Sequence, residues 1–125
     1  MNVVDSSAWL EYLAAGPSAG YFAEAVEHTE ELLVPTISLY EVFKRVVQQR
    51  SENEALQVVA VMQQGKVAEL DARIALSAGR ISIDYQLPLA DSVILATARV
   101  NNATLWTQDS HFEGLPNVRY RKTSS

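Results

Sequence analysis

Short apolar runs alternate with helical patterns along this chain, and that alternation restricts its architecture more than any other feature. Val3-Val4 leads through Asp5-Ser6-Ser7 into an amphipathic run from Ala8 to Ala15. Gly16-Pro17-Ser18 is a break, with Ser18 placed to cap a helix from Ala19 to about Thr29. Leu32-Leu33-Val34 is closed by Pro35, and Thr36 or Ser38 then opens a helix carrying Leu39, Val42, Phe43, Val46 and Val47 on one stripe. A further helix starts in Ser51-Glu52-Asn53-Glu54 and ends at Gly65. Val67-Ala68-Glu69-Leu70 predicts a third strand, and Asp71 caps a helix through about Tyr85. The next helix runs from about Ala90 to Asn101, followed by strands at Thr104–Thr107 and Val118–Tyr120. Strands separated by helices in this way build βαβ units. The expected fold is therefore an α/β, three-layer domain with a central parallel sheet of about five strands.

A chain of 125 residues makes one domain, 1–125, long enough to bury a core. It has no cysteine, which excludes disulfides and thiolate metal sites. The first residues lack the pattern of a signal peptide, and no apolar run approaches membrane-spanning length, so a cytoplasmic location and no membrane partner are expected. The net charge of -5 argues against a sequence-blind nucleic-acid binder held by bulk charge. It leaves room for a nucleic-acid enzyme whose carboxylates gather at a metal.

Four acids stand at element ends or on helix faces beside the expected core. Asp5 ends the first strand, Glu41 lies on the helix after the second, Asp91 in the first turn of the last long helix, and Asp109 just beyond the fourth strand. Each has a structural explanation: Asp5 as an N-cap, Ser38 to Glu41 as a capping box, Asp91 at a positive helix end, and Asp109 in an Asx turn. Together they point elsewhere, because a parallel sheet sets strand ends and helix starts along one edge. Four carboxylates meeting there would repel one another unless neutralised, and all-oxygen ligation suits Mg²⁺ or Mn²⁺ rather than zinc. Ser6 and Thr107 supply hydroxyls next to two of the acids, suited to orienting a water or a ligand carboxylate.

The set Asp5-Ser6-Ser7, Ser38-x-x-Glu41, Leu89-Ala90-Asp91 leading into Ala96-Thr97-Ala98, and Thr107-x-Asp109-x-His111-Phe112 resembles the PIN-domain ribonucleases. The likeness runs from Val3 to Tyr120 and is nearest to the VapC-type toxins of bacterial and archaeal toxin–antitoxin pairs. It implies a negatively charged pocket that binds Mg²⁺ or Mn²⁺, and cleavage of RNA phosphodiester bonds by a metal-activated water. By the same resemblance Asp5 and Asp91 are direct ligands, Glu41 is a ligand or general base, and Asp109 completes the set. It also implies a homodimer and a small antitoxin whose tail covers the pocket, an arginine pairing with the carboxylates.

Two other functions compete. A non-catalytic binding module of the same fold would have no use for four clustered acids; a PIN nuclease acting in RNA processing or on DNA flaps would differ in its substrate. A phosphoacceptor signalling domain lacks the mid-sheet aspartate and the late-strand lysine. His111 reads either as an ordinary loop residue or as a general acid beside Asp109. Lys44 reads either as an ion pair with Glu41 or as a phosphate contact. Trp9, Trp106, Tyr40 and Phe43 read as core. With so acidic a surface, an RNA target would be chosen by shape and a few local contacts, as in loop recognition.

Overall fold

The computed structural model describes residues 1–123. Its five strands are β1 (Asn2–Val4), β2 (Leu32–Pro35), β3 (Lys66–Ala68), β4 (Thr104–Thr107) and β5 (Val118–Tyr120). They form one sheet in the order β3-β2-β1-β4-β5, with every pair parallel. Six α-helices accompany them: α1 (Ser6–Leu13), α2 (Ala19–Val26), α3 (Thr36–Gln49), α4 (Glu52–Met62), α5 (Ala72–Tyr85) and α6 (Leu89–Val100). Among the described residues no helix is long and apolar enough to cross a membrane.

The period-two alternation of strand side chains divides the core into two. Val3, Leu33 and Leu105 face one way and pack with Ile74, Ala78 and Ile81 of α5 and the apolar side of α6. Val4, Leu32, Val34 and Trp106 face the other way, against Ala8, Trp9, Phe22, Val42, Val46, Ala55 and Met62 from α1 to α4. Because both faces of β1 are covered, Val3 and Val4 are fully buried, which is why that strand carries no polar alternation. The expected three layers are present.

Boundaries differ in places for identifiable reasons. β3 spans Lys66–Ala68 rather than continuing through Glu69 and Leu70, because its one neighbour, β2, ends at Pro35 opposite Ala68. Ser18 stands at the start of α2 without a side-chain cap bond; its amide instead donates to the Glu11 carboxylate at 2.6 Å. Asp71 caps α5 as expected, accepting from the Ile74 amide at 2.9 Å. Tyr40 is not core: it is 60% exposed, while Trp9 and Trp106 are buried and Phe43 is half-buried.

The strand order fixes where a crevice opens. From β1 the chain adds β2 and then β3 on one side, then crosses back to place β4 and β5 on the other. The connections leaving β1 and β4 therefore diverge, and ligands in such sheets bind outside the carboxyl ends of that strand pair.

Candidate active site

Asp5 is the residue after β1 and stands at the start of α1, yet its side chain makes no cap bond. Its Oδ2 accepts two hydroxyls instead, from Ser7 at 2.7 Å and from Thr107 at 2.9 Å. Thr107 ends β4 and is fully buried, so the carboxylate is tied to the neighbouring strand. The same Thr107 Oγ1 accepts from the Asp109 amide at 2.9 Å and so sets the backbone of a second acid. Only 3% of Asp5 is exposed. Burial raises its carboxyl from 3.8 to about 6; the two hydroxyls oppose that rise, and the charges of Asp91 and Asp109 add to it.

Glu41 reaches the site from the first half of α3. The expected capping box does not form, because α3 begins directly after Pro35 and Ser38 already lies inside it, buried and without a hydrogen-bond partner among the described residues. Glu41 Oε1 accepts instead from Ser6 Oγ at 2.7 Å. Asp91 occupies the first turn of α6, where the helix dipole favours a negative charge. Desolvation nonetheless raises its pKa, opposed by a hydrogen bond from His111 and reinforced by the charge of Asp109. Asp109 does make the turn expected of it, accepting from the His111 amide at 2.9 Å, while its carboxylate also faces the cleft.

His111 is drawn in more closely than its sequence position suggests. Its Nδ1 lies 2.9 Å from Asp91 Oδ2 and 3.5 Å from Asp109 Oδ1. The bond to Asp91, with the charge of Asp109 behind it, raises the histidine pKa. Asp91, Asp109 and His111 each place one ligand atom within 4.8 Å of the others. Asp5 and Glu41 line the same cleft, of about 280 Å³, outside this tighter group; Ser7 and Arg45 line it too. Ser7 and Arg45 were not singled out from sequence. Ser7 has the short spacing to Asp5 that hydroxyl turns use, and Arg45 lies one helical turn from Glu41.

The donor set fits a hard divalent cation. Among the described residues none of the four acids pairs with a lysine or arginine, and His111 is the one basic side chain within ion-pair distance of any of them. Both hydroxyls on Asp5 bond Oδ2, leaving Oδ1 without a protein donor among the described residues. A carboxylate so buried, with one oxygen fixed and the other free, suits a metal that prefers oxygen ligands.

Comparison with known proteins gives the family and the fold. The family model of the PIN domain matches residues 3–117. No curated protein matches the sequence. Among solved structures, a toxin–antitoxin complex from Klebsiella pneumoniae superposes with a TM-score of 0.83 at 19% identity, over 98% of this chain and 100% of that chain. DNA-bound VapBC from Salmonella typhimurium superposes at 0.75 with 16% identity, covering 97% and 96%. VapC20 of Mycobacterium tuberculosis, a sarcin-ricin loop cleaving toxin, superposes at 0.76 with 14% identity, covering 93% and 95%.

Proposed function

The chain belongs to the PIN-domain family, and from that premise we propose that it is an Mg²⁺- or Mn²⁺-dependent endoribonuclease, the toxin of a toxin–antitoxin pair. The observation that carries this reading is Asp5: a buried carboxylate beside Asp91 and Asp109, without a lysine or arginine partner. Asp5 and Asp91 hold the ion directly, Asp109 completes the set, and Glu41 serves as ligand or general base. When bound, such an ion offsets the clustered negative charge, acidifies water for attack on a phosphodiester bond, and stabilises the departing oxygen. Thr107 and Ser7 fix the orientation of Asp5, and Ser6 fixes that of Glu41, so little reorganisation is needed when substrate arrives. His111 stands at the rim with its ring half exposed, its Nδ1 2.9 Å from Asp91 Oδ2.

The solved relatives support the biological part of the reading. The Klebsiella structure is a toxin–antitoxin complex, the Salmonella one is DNA-bound VapBC, and VapC20 is a sarcin-ricin loop cleaving toxin. The reading extends to a cognate antitoxin covering the acidic cleft, a structured RNA substrate, a homodimer and a cytoplasmic site of action. Leu76 and Ile83, one face of α5 with 78% and 70% exposure, offer an apolar surface for the second copy.

The test is incubation of antitoxin-free protein with a panel of structured RNAs, with Mg²⁺ or Mn²⁺ and with chelator, beside Asp5→Asn. Cleavage that requires metal and falls at least about 100-fold in the variant is expected, the scale seen when a transition-state electrostatic contact is removed. No cleavage of any RNA, together with no metal binding, would overturn the reading.

A further inference from the structure

Helix α3 carries, on its exposed side, a row of side chains for which the acidic cleft has no use. Tyr40 is largely exposed in a chain whose two tryptophans are buried. Lys44 Nζ sits 5.7 Å from the centre of the Tyr40 ring, close enough for a cation–π contact. The ion pair between Lys44 and Glu41 that their spacing allows is absent; Glu41 is taken by Ser6. Arg45 likewise has no carboxylate within ion-pair distance among the described residues. Tyr40, Lys44 and Gln48 line a shallow hollow of about 260 Å³ together with Glu41 and Arg45. Glu41 and Arg45 also line the acidic cleft. The two depressions therefore share a wall and form one continuous surface.

An acidic protein with carboxylates at its reactive centre repels a polyanion along most approaches, and local cations must offset that repulsion. We propose that the exposed face of α3 is the track on which a single-stranded stretch of RNA lies beside the cleft, with Lys44 and Arg45 holding phosphates and Tyr40 stacking a base. This rests on the ribonuclease reading above and states how that same site takes its substrate. An exposed aromatic ring beside cationic groups is a usual component of a single-strand surface: the ring meets any base, and the cations follow the backbone. An acidic peptide would use the cations but would leave the tyrosine without a role.

The experiment measures binding of a fluorescent single-stranded oligoribonucleotide by anisotropy, with Ca²⁺ in place of Mg²⁺, across a salt series. The chains compared are wild type, Lys44→Gln, the double variant Lys44→Gln/Arg45→Gln, Tyr40→Ala, and Arg73→Gln, which removes one positive charge at an exposed position of α5. The double variant is expected to bind about tenfold more weakly or worse and to lose about 1.4 from the slope of log K against log salt, at about 0.7 per single-strand phosphate contact. Tyr40→Ala should weaken binding at least about fivefold without changing that slope. Arg73→Gln should change neither. In turnover with Mg²⁺, Lys44→Gln should raise KM and leave kcat as it is. A double variant that binds like wild type, or an Arg73→Gln chain that weakens as much as Lys44→Gln alone, overturns the proposal. So does a double variant that keeps its RNA affinity but loses binding of a polyglutamate peptide, which would assign the face to an acidic partner. Metal-dependent cleavage by wild type alongside any of these results refutes the track alone; the absence of any metal-dependent cleavage refutes the reading beneath it.

Discussion

At neutral pH the carboxyl of Asp5, raised to about 6, is charged against the preference of its surroundings. Its ordinary value is 3.8. A group with its folded pKa raised contributes stability that is complete below the ordinary value and is lost as the pH climbs through the folded one. For metal-free protein that loss spans roughly pH 4 to 6 and amounts to up to about 3 kcal/mol. Asp5→Asn removes the ionisation while its amide oxygen can still accept from Ser7 and Thr107. With chelator at pH 7.5 the variant should therefore melt higher than wild type, by several degrees at about 4 °C per kcal/mol, though its cleavage is lost. An equal or lower Tm would show that the buried charge costs little. The same residues show what sequence can say about a site. Asp5, Asp91 and Asp109 were legible as acids at element ends, and Ser6 and Thr107 as hydroxyls next to them. Which competing reading wins was legible only in part. The Asx turn of Asp109 forms, whereas the cap bond of Asp5 and the capping box of Glu41 do not. Thr107 and Ser6 reach the acids from elements 102 and 35 residues away in sequence, and no local spacing encodes that. The contact of His111 with Asp91 crosses 20 residues and is no more legible.

Among the elements, β2 with α3 and the turn before β3 decide the geometry. The strands were legible because a sheet buried on both faces needs uninterrupted apolar runs, and Leu32–Pro35 was bounded to the residue by its proline. The end of β3 was not, because an edge strand stops where its partner stops, and the length of β2 is not written in β3. Nor was the exposure of Tyr40 legible, since the apolar stripe of α3 is wide enough by spacing alone to include it; the position of α6 and α4 decides which flank is covered. Gly65 illustrates how tightly the turn into β3 is seated. A Cβ placed there would lie 2.9 Å from the Leu32 carbonyl oxygen and 3.0 Å from the Leu32 side chain, and backbone cannot give way as a side-chain tip can. Gly65→Ala should cost about 1–3 kcal/mol through overpacking of β2 against β3. Denaturant melts should show the midpoint fall with the slope unchanged. A neutral result would mean that this edge of the sheet shifts freely, and the acidic cleft beyond β1 should in either case keep its metal affinity.

For the molecule as a whole, the topology concentrates acidity at the carboxyl ends of β1 and β4, which the proposed metal would offset. Three groups there respond to pH in the same direction. Asp5 and Asp91 have raised pKa values, so each is stabilising when protonated and ceases to be as the pH rises. His111 is also raised, and its imidazolium, favoured at lower pH, occupies the oxygens of Asp91 and Asp109 in place of a cation. Protons at all three positions therefore oppose metal binding, and chelated protein should lose Tm as the pH rises from about 4 through about 6 and beyond. Mg²⁺ should restore that loss more fully at pH 8 than at pH 5.5, since ligands must be deprotonated to bind. At a concentration about 100 times the Kd, Mg²⁺ adds about 2.7 kcal/mol, roughly 10 °C for a chain of this size. Asp5→Asn should remove the share of the pH dependence that Asp5 contributes and weaken the Mg²⁺ response, leaving the shares of Asp91 and His111. Scanning melts at the two pH values, with Mg²⁺ and with chelator, decide the matter. An equal Mg²⁺ shift at both would separate the ion from these titrations. A shift that survives undiminished in Asp5→Asn would move the ion away from the carboxyl end of β1, to Asp91, Asp109 and His111 alone.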